Sequence, residues 1–166
     1  MSTHGQPITL CTIRLDGQIY GIDMLAIREA NQSTPSIRVP GSPPEVLGLV
    51  NLRGSIYLLL DIRRMLGLPE KKMTSDDLLV VFRPSQGESF GILVDSLDET
   101  MVVPARLVTP REPDSSGSPI SGIILGKDES FSMISPELMY RRAKTLLGNS
   151  KQPSVQNSSA SLEKLA

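Results

Sequence analysis

The stretch ITLCTIRLDGQIYGI, residues 8–22, leaves a folding chain few choices. Two runs rich in β-branched and aromatic residues meet at Asp16-Gly17, a dipeptide that suits the two positive-φ positions of a type I′ turn, so a β-hairpin is predicted. Similar punctuation recurs. Residues 46–53 alternate as a strand, Gly54-Ser55 supplies a tight turn with glycine first, and IYLLLD returns as the partner. LLVVFR, SFGILVD and ETMVVP read as consecutive strands of an antiparallel meander, with a turn at residues 84–87, and ISGIILG and SFSMI flank residues 127–129 as one more hairpin. The chain is predicted to be mainly β.

Two helices interrupt this pattern. Asp61 can cap IRRML, which Gly67 ends and Pro69 stops. A longer one starts at Ser135, with Pro136 in the first helical position and Glu137 near the positive end of the dipole, and stops at Gly148. Leu138, Leu146 and Leu147 are its candidate packing residues, and the helix reads as a brace. In DMLAIREA a helical turn and a strand fit equally well. Residues 33–45 hold four prolines and allow at most a short edge strand. Residues 70–77 read as a charged surface linker and 109–119 as a mobile loop. The expected organisation is a flexible N-terminus over residues 1–8, one domain over 9–148 and a disordered tail over 149–166.

Part of this grammar repeats. YGID at residues 20–23 is echoed by FGILVD at 90–95, and GLVNLRG at 48–54 by GIILG at 122–126. Both offsets are near seventy residues, which suggests two similar β-lobes in one chain.

Composition removes several function classes. Seventeen basic residues against eighteen acidic ones give a net charge of −1, and six aromatics include no Trp, so neither a phosphate-binding field nor a base-stacking platform is expected. A nucleic-acid partner is therefore disfavoured. The one cysteine, Cys11, agrees with a reducing compartment, and neither a signal-like N-terminus nor an apolar run of about 18 residues is seen, so a cytoplasmic protein without membrane insertion is expected. The only histidine, His4, lies near the N-terminus, and Cys11 lies within a strand as a small apolar residue, so no nucleophile-base pair can be assembled. Phosphate-loop and metal-ligand spacings are also missing, and neither cofactor nor metal is expected. Asp61 and Asp95 each end an apolar strand, which leaves a carboxylate-dependent hydrolase as the enzymatic alternative, although strand-end aspartates usually cap the next element. Asp76-Asp77 read as solvated linker residues.

The segment VLGLVNLRGSIYLLLDIRRMLGL resembles the signature of the CheW family of bacterial chemotaxis adaptor domains: a glycine, an Asn-Leu-Arg-Gly turn, an apolar return strand and an Asp-Leu-Arg-like helix start. YGIDMLAIREA, RVPGSPPEVLGL and FGILVDSLDETMVV are similar to further family segments in the same order, so the likeness spans about residues 9–147. It departs from the family at Leu58, where proline is common, and in SFSMISPELMYRR, which is only loosely similar. The resemblance implies two packed five-stranded SH3-like β-barrel subdomains with short helices and a C-terminal helix. It also implies a non-enzymatic adaptor between the regulatory domain of a CheA-type histidine kinase and the cytoplasmic tip of a chemoreceptor, recruited to membrane-associated arrays. A scaffold of a related kinase pathway for twitching, surface sensing or biofilm control is the alternative within the family.

By the same resemblance Arg53, Asn51 and Gly48, around the Asn-Leu-Arg-Gly turn, and Ile27 and Glu29, in the early segment, form the expected partner-binding surface. Each has an ordinary reading as well. Arg53 can pair within its own molecule with Glu29 or Asp23, Asn51 can satisfy a neighbouring backbone group, Gly48 can permit a bulge, and Ile27 can be core.

Overall fold

The computed structural model describes residues 5–83 and 89–149, so His4, the 84–87 turn and the tail from residue 150 lie outside the described residues. Eleven strands follow in order: β1 (Ile8–Leu15), β2 (Gln18–Asp23), β3 (Ile27–Gln32), β4 (Val46–Leu52), β5 (Ser55–Leu60), β6 (Leu78–Phe82), β7 (Phe90–Val94), β8 (Ser96–Val103), β9 (Val108–Pro110), β10 (Ile120–Leu125) and β11 (Ser130–Ile134). Helix α1 (Ile62–Leu66) follows β5 and α2 (Pro136–Asn149) follows β11. The ambiguous segment resolves into both options: Met24–Ala26 make one 3-10 turn, started by the Asp23 carboxylate accepting from the Leu25 N–H, and β3 follows.

The strands form a six-stranded sheet, β8-β1-β2-β11-β10-β9, and a five-stranded sheet, β3-β6-β7-β5-β4. The sixth strand of the first sheet is β9, which starts beside the segment read as a loop and runs into it. The expected meander does not occur. β6 and β7 pair, but the chain leaves the second sheet at Asp95 and β8 pairs with β1 in the first. Local alternation identifies a strand without naming its neighbour.

The two sheets share one plan with exchanged hairpins. In the second sheet hairpin β6-β7 is flanked by β3 on one side and by β5-β4 on the other, and a bridge from Ile37 to Leu49 extends that edge. In the first, β1-β2 is flanked by β8 and by β11-β10, with β9 beyond. The corresponding parallel pairs are β5 with β7 and β11 with β2. Each half of the chain therefore donates its first hairpin to the sheet built mostly by the other half, and the echo of about seventy residues is the sequence trace of that arrangement.

Three apolar clusters hold it together. The central one joins Ile13, Tyr20 and Ile22 of the first sheet to Val80, Phe82 and Ile92 of the second, with Ile62 and Met65 of α1 and Met139 and Ala143 of α2. A second lies on the other face of the five-stranded sheet (Val50, Tyr57, Leu59, Leu79, Val81) and a smaller third on that of the six-stranded one (Leu10, Val103, Ile124). Strand alternation explains the division: in β6, Leu79 and Val81 face one cluster while Val80 and Phe82 face the other. Alternation runs unbroken along β1, so Leu10 serves the small cluster while Ile13 and Leu15 serve the central one, and the register shift opposite Cys11–Ile13 places its extra residue in β8. Thr12 at this bulge donates to the Glu99 carbonyl at 2.7 Å.

Helix α1 is capped by Asp61, which accepts from the Arg64 N–H at 3.1 Å, and ends on Gly67 in the left-handed conformation. Ser135 caps α2, which continues one residue past the expected stop to Asn149. Its buried face carries Met139 and Ala143 with Leu147 partly buried, whereas Leu138 and Leu146 line a groove against residues 113–118. Arg142 ties the brace down, donating to the Met65 carbonyl at 3.2 Å, the Gly117 carbonyl at 3.3 Å and Glu45 at 3.3 Å.

Candidate partner-binding surface

Register places Leu52 opposite Ser55, so the loop of the β4-β5 hairpin is Arg53-Gly54. Their φ values, 51° and 86°, are those of a type I′ turn. The turn thus sits one residue earlier than expected, and Arg53 occupies a left-handed turn position instead of ending a strand. The Asn51 side chain supports it by accepting from the Gly54 N–H at 3.0 Å.

From this tip the guanidinium reaches β3. Nη1 lies 3.2 Å from a Glu29 carboxylate oxygen and Nη2 donates to Asn31 Oδ1 at 3.3 Å. Glu29 and Asn31 are two residues apart on one strand and share a face. Strands β3 and β4 are opposite edges of the five-stranded sheet, so Arg53 staples together two edges that no backbone ladder joins among the described residues. The Arg53 side chain is nevertheless 75 % exposed and that of Glu29 26 %. An ion pair open to water on its cationic side costs little to exchange for an external carboxylate. The Asn31 side-chain nitrogen is buried without a partner among the described residues.

Arg53, Glu29 and Asn51 thus meet at one hairpin tip. Ile27 starts β3, half-buried against the central cluster, and its carbonyl accepts from Arg83. Gly48 lies apart, at the bulge where β4 shifts register on β5. Its φ is 149°, and a Cβ there would sit 2.3 Å from the Ile37 carbonyl oxygen. Paired Ile37-Leu49 backbone bonds, both 2.8 Å, hold the proline-rich segment against it. Gly48 therefore serves the close approach of two backbones. Asn31 escapes a reading of the sequence because the state of its segment is open there; its spacing of two from Glu29 is the available signal. Ile37 and Ile56, 75 % and 66 % exposed, also escape it. Ile56 stands directly opposite Asn51 and extends the surface with apolar area.

The hydrolase alternative is not favoured by the partners of its two acids. Asp61 is occupied as a helix cap. Asp95 accepts from Arg63 Nη2 on both carboxylate oxygens, at 2.6 and 2.7 Å, from Lys71 at 3.2 Å and from the Asp16 N–H at 2.8 Å. Burial alone would raise the Asp95 carboxyl, but Arg63, the Asp16 N–H and Lys71 outweigh it and hold it below its ordinary range. An acid kept ionised by fixed cations is a structural clasp. Asp77, expected to be solvated, is 4 % exposed and accepts from Lys71 and the Thr74 N–H, so it locks the linker instead. Burial, followed by the Asp98 charge, raises the Cys11 thiol, which suits an inert core residue. Among the described residues no cluster of potential metal ligands is present and no helix is long and apolar enough to cross a membrane.

A family model for the CheW-like domain matches residues 9–144. The chain is 27 % identical over 107 residues to the probable chemotaxis protein CheW of Rhizobium etli, covering 64 % of this chain and 68 % of that one. It is 29 % identical over 101 residues to chemotaxis protein CheW of Rhizobium meliloti (61 % and 64 %) and 32 % over 91 residues to that of Helicobacter pylori (55 % and 54 %). The matches thus span from about half to about two thirds of these relatives' lengths. Among solved structures, the scaffolding protein TtCheW from Thermoanaerobacter tengcongensis superposes with a TM-score of 0.71 over 81 % of this chain and 93 % of that chain, at 20 % identity, a likeness of fold.

Proposed function

The chain belongs to the CheW-like domain family and is a scaffold protein rather than an enzyme; on that premise we propose that it couples the regulatory domain of a CheA-type histidine kinase to the cytoplasmic tip of a chemoreceptor in bacterial chemotaxis. Residues 9–148 act as one binding unit, recruited from the cytoplasm to membrane-associated receptor arrays. The observation that carries this reading is the Arg53-Glu29-Asn31 staple, a charged hairpin tip that closes an edge of the fold yet exposes most of its cation. Arg53, Glu29, Asn51 and Ile27 form the contact surface, and Gly48 preserves the backbone behind it. Signalling through such a surface requires different affinities for different kinase states, since equal binding to all states shifts nothing.

The test is calorimetric titration of this protein into the regulatory domain of a CheA-type kinase from the same genome, beside Arg53→Ala and Glu29→Ala. Micromolar binding is expected for the parent chain, weakened at least about tenfold in either variant with an unchanged melting profile. Parent binding with unchanged affinity in both variants would move the tip to the receptor side. Absence of binding to any such kinase domain would overturn the coupling role.

A further inference from the structure

The shared plan of the two sheets makes one difference between them informative. In the second sheet Arg53, at the β4-β5 turn, crosses to the edge strand β3. The corresponding elements of the first sheet are the β10-β11 turn, residues 126–129, and the edge strand β8. Among the described residues no ion pair or hydrogen bond joins that turn to β8, and a groove of about 700 Å³ opens between them.

The floor of this groove is apolar: Ile19, Met101, Val103, Leu107, Ile124 and Phe131 line it. Val103 and Ile124 form the smallest of the three core clusters with Leu10, and Met101, Leu107 and Phe131 pack against it, so the lobe is closed thinly on this side. The rim is acidic. Arg14 is already paired with Asp98 at 2.6 Å, leaving Glu99, Asp128 and Glu129 against one cation among the described residues, Lys127. Along one wall runs β8, whose hydrogen bonds go to β1 on one side while its other edge has no ladder partner among the described residues.

We propose that this groove receives an extended segment of a partner protein in which apolar residues alternate with Lys or Arg, added as a further strand to the free edge of β8. An extended segment is selected because only a strand offers main-chain donors and acceptors to the unpaired edge, and its alternate side chains point to the apolar floor. Basic residues are selected by the uncompensated carboxylates of the rim. A second copy of this chain is the poorer occupant, since β8 pairing with its own copy would bring two acidic rims together. This surface is separate from the Arg53 hairpin and belongs to the other sheet.

The test uses the full chain and a capped synthetic peptide of four Lys-Val repeats, followed by calorimetry and by amide hydrogen exchange. Saturable binding that weakens with added salt is expected, together with slowed exchange at residues 98–102 and none at β3. The exposed double variant Glu99→Lys, Glu129→Lys should fold normally and weaken the peptide about three- to tenfold. A peptide of four Glu-Val repeats should not bind. Equal binding of both peptides, no binding, or protection confined to other strands would overturn the proposal. Protection of the same amides that rises with protein concentration and needs no peptide would assign the edge to a second copy and overturn it equally.

Discussion

Arg53 holds two roles that a single substitution can separate. As a non-glycine residue at φ 51° it strains the turn, and as a guanidinium it staples β3. Glycine in that position relieves about 1 kcal/mol of left-handed strain, while loss of an exposed ion pair costs about 0.2–1 kcal/mol. Arg53→Gly should therefore unfold within about 1 kcal/mol of the parent in urea while losing kinase binding; a large drop in stability would show the staple to be structural. Asp95 makes the opposite prediction. Its folded-state pKa lies below its ordinary value of 3.8, so its contribution is present at neutral pH and is lost as pH falls from about 4 toward the folded value. Asp95→Asn should cost about 1–3 kcal/mol at pH 7 and flatten the acid limb of the stability curve, measured by denaturant unfolding at pH 7 and pH 3. At this scale the sequence is informative about which residues matter and poor about what they touch. Arg53 stands out as a charge between apolar runs, and Glu29 is among the intramolecular partners open to it. The clasp at Asp95 is not legible, because Arg63 and Lys71 reach it from an element and a linker that only the tertiary fold brings near.

At the level of elements, two bulged hairpins answer each other across the repeat. Gly48 in β4 and Gly122 in β10 both mark a register shift, and each has a backbone carbonyl where a side chain would go: a Cβ would meet Ile37 O at 2.3 Å in the first and Thr109 O at 2.9 Å in the second. The shorter approach and the positive φ make Gly48→Ala the costlier change, about 2–4 kcal/mol against about 1–2 kcal/mol for Gly122→Ala, read from urea midpoints. Equal losses would mean that the proline-rich segment yields freely. Local chemistry makes most elements legible. Asp16-Gly17, the Asp61 and Ser135 caps and the Gly67 stop act within a few residues and appear in the structure as read. The β4-β5 turn reads one residue late because Gly54-Ser55 and Arg53-Gly54 both satisfy a glycine-containing loop, and only cross-strand register decides between them. The meander fails for a related reason: the choice of neighbour for β8 is made by β1, more than eighty residues earlier in the chain.

For the whole molecule, exchanged hairpins mean that neither half contains a complete sheet. Fragments 1–75 and 76–166 should each lack dispersed amide resonances alone and regain the native spectrum on mixing, because β2 needs β11 and β7 needs β5. A folded isolated fragment would show that one sheet tolerates the loss of its borrowed hairpin. The internal echo discloses the existence of two lobes but not the exchange, since similarity between halves says nothing about which half each hairpin joins. That exchange also sets a schedule. At about 5–20 residues per second, β2 leaves the ribosome several seconds before β11 is made, with roughly 110 residues between them. During that interval the nascent chain carries an apolar hairpin whose partners do not yet exist, and the cell must shelter it until translation catches up.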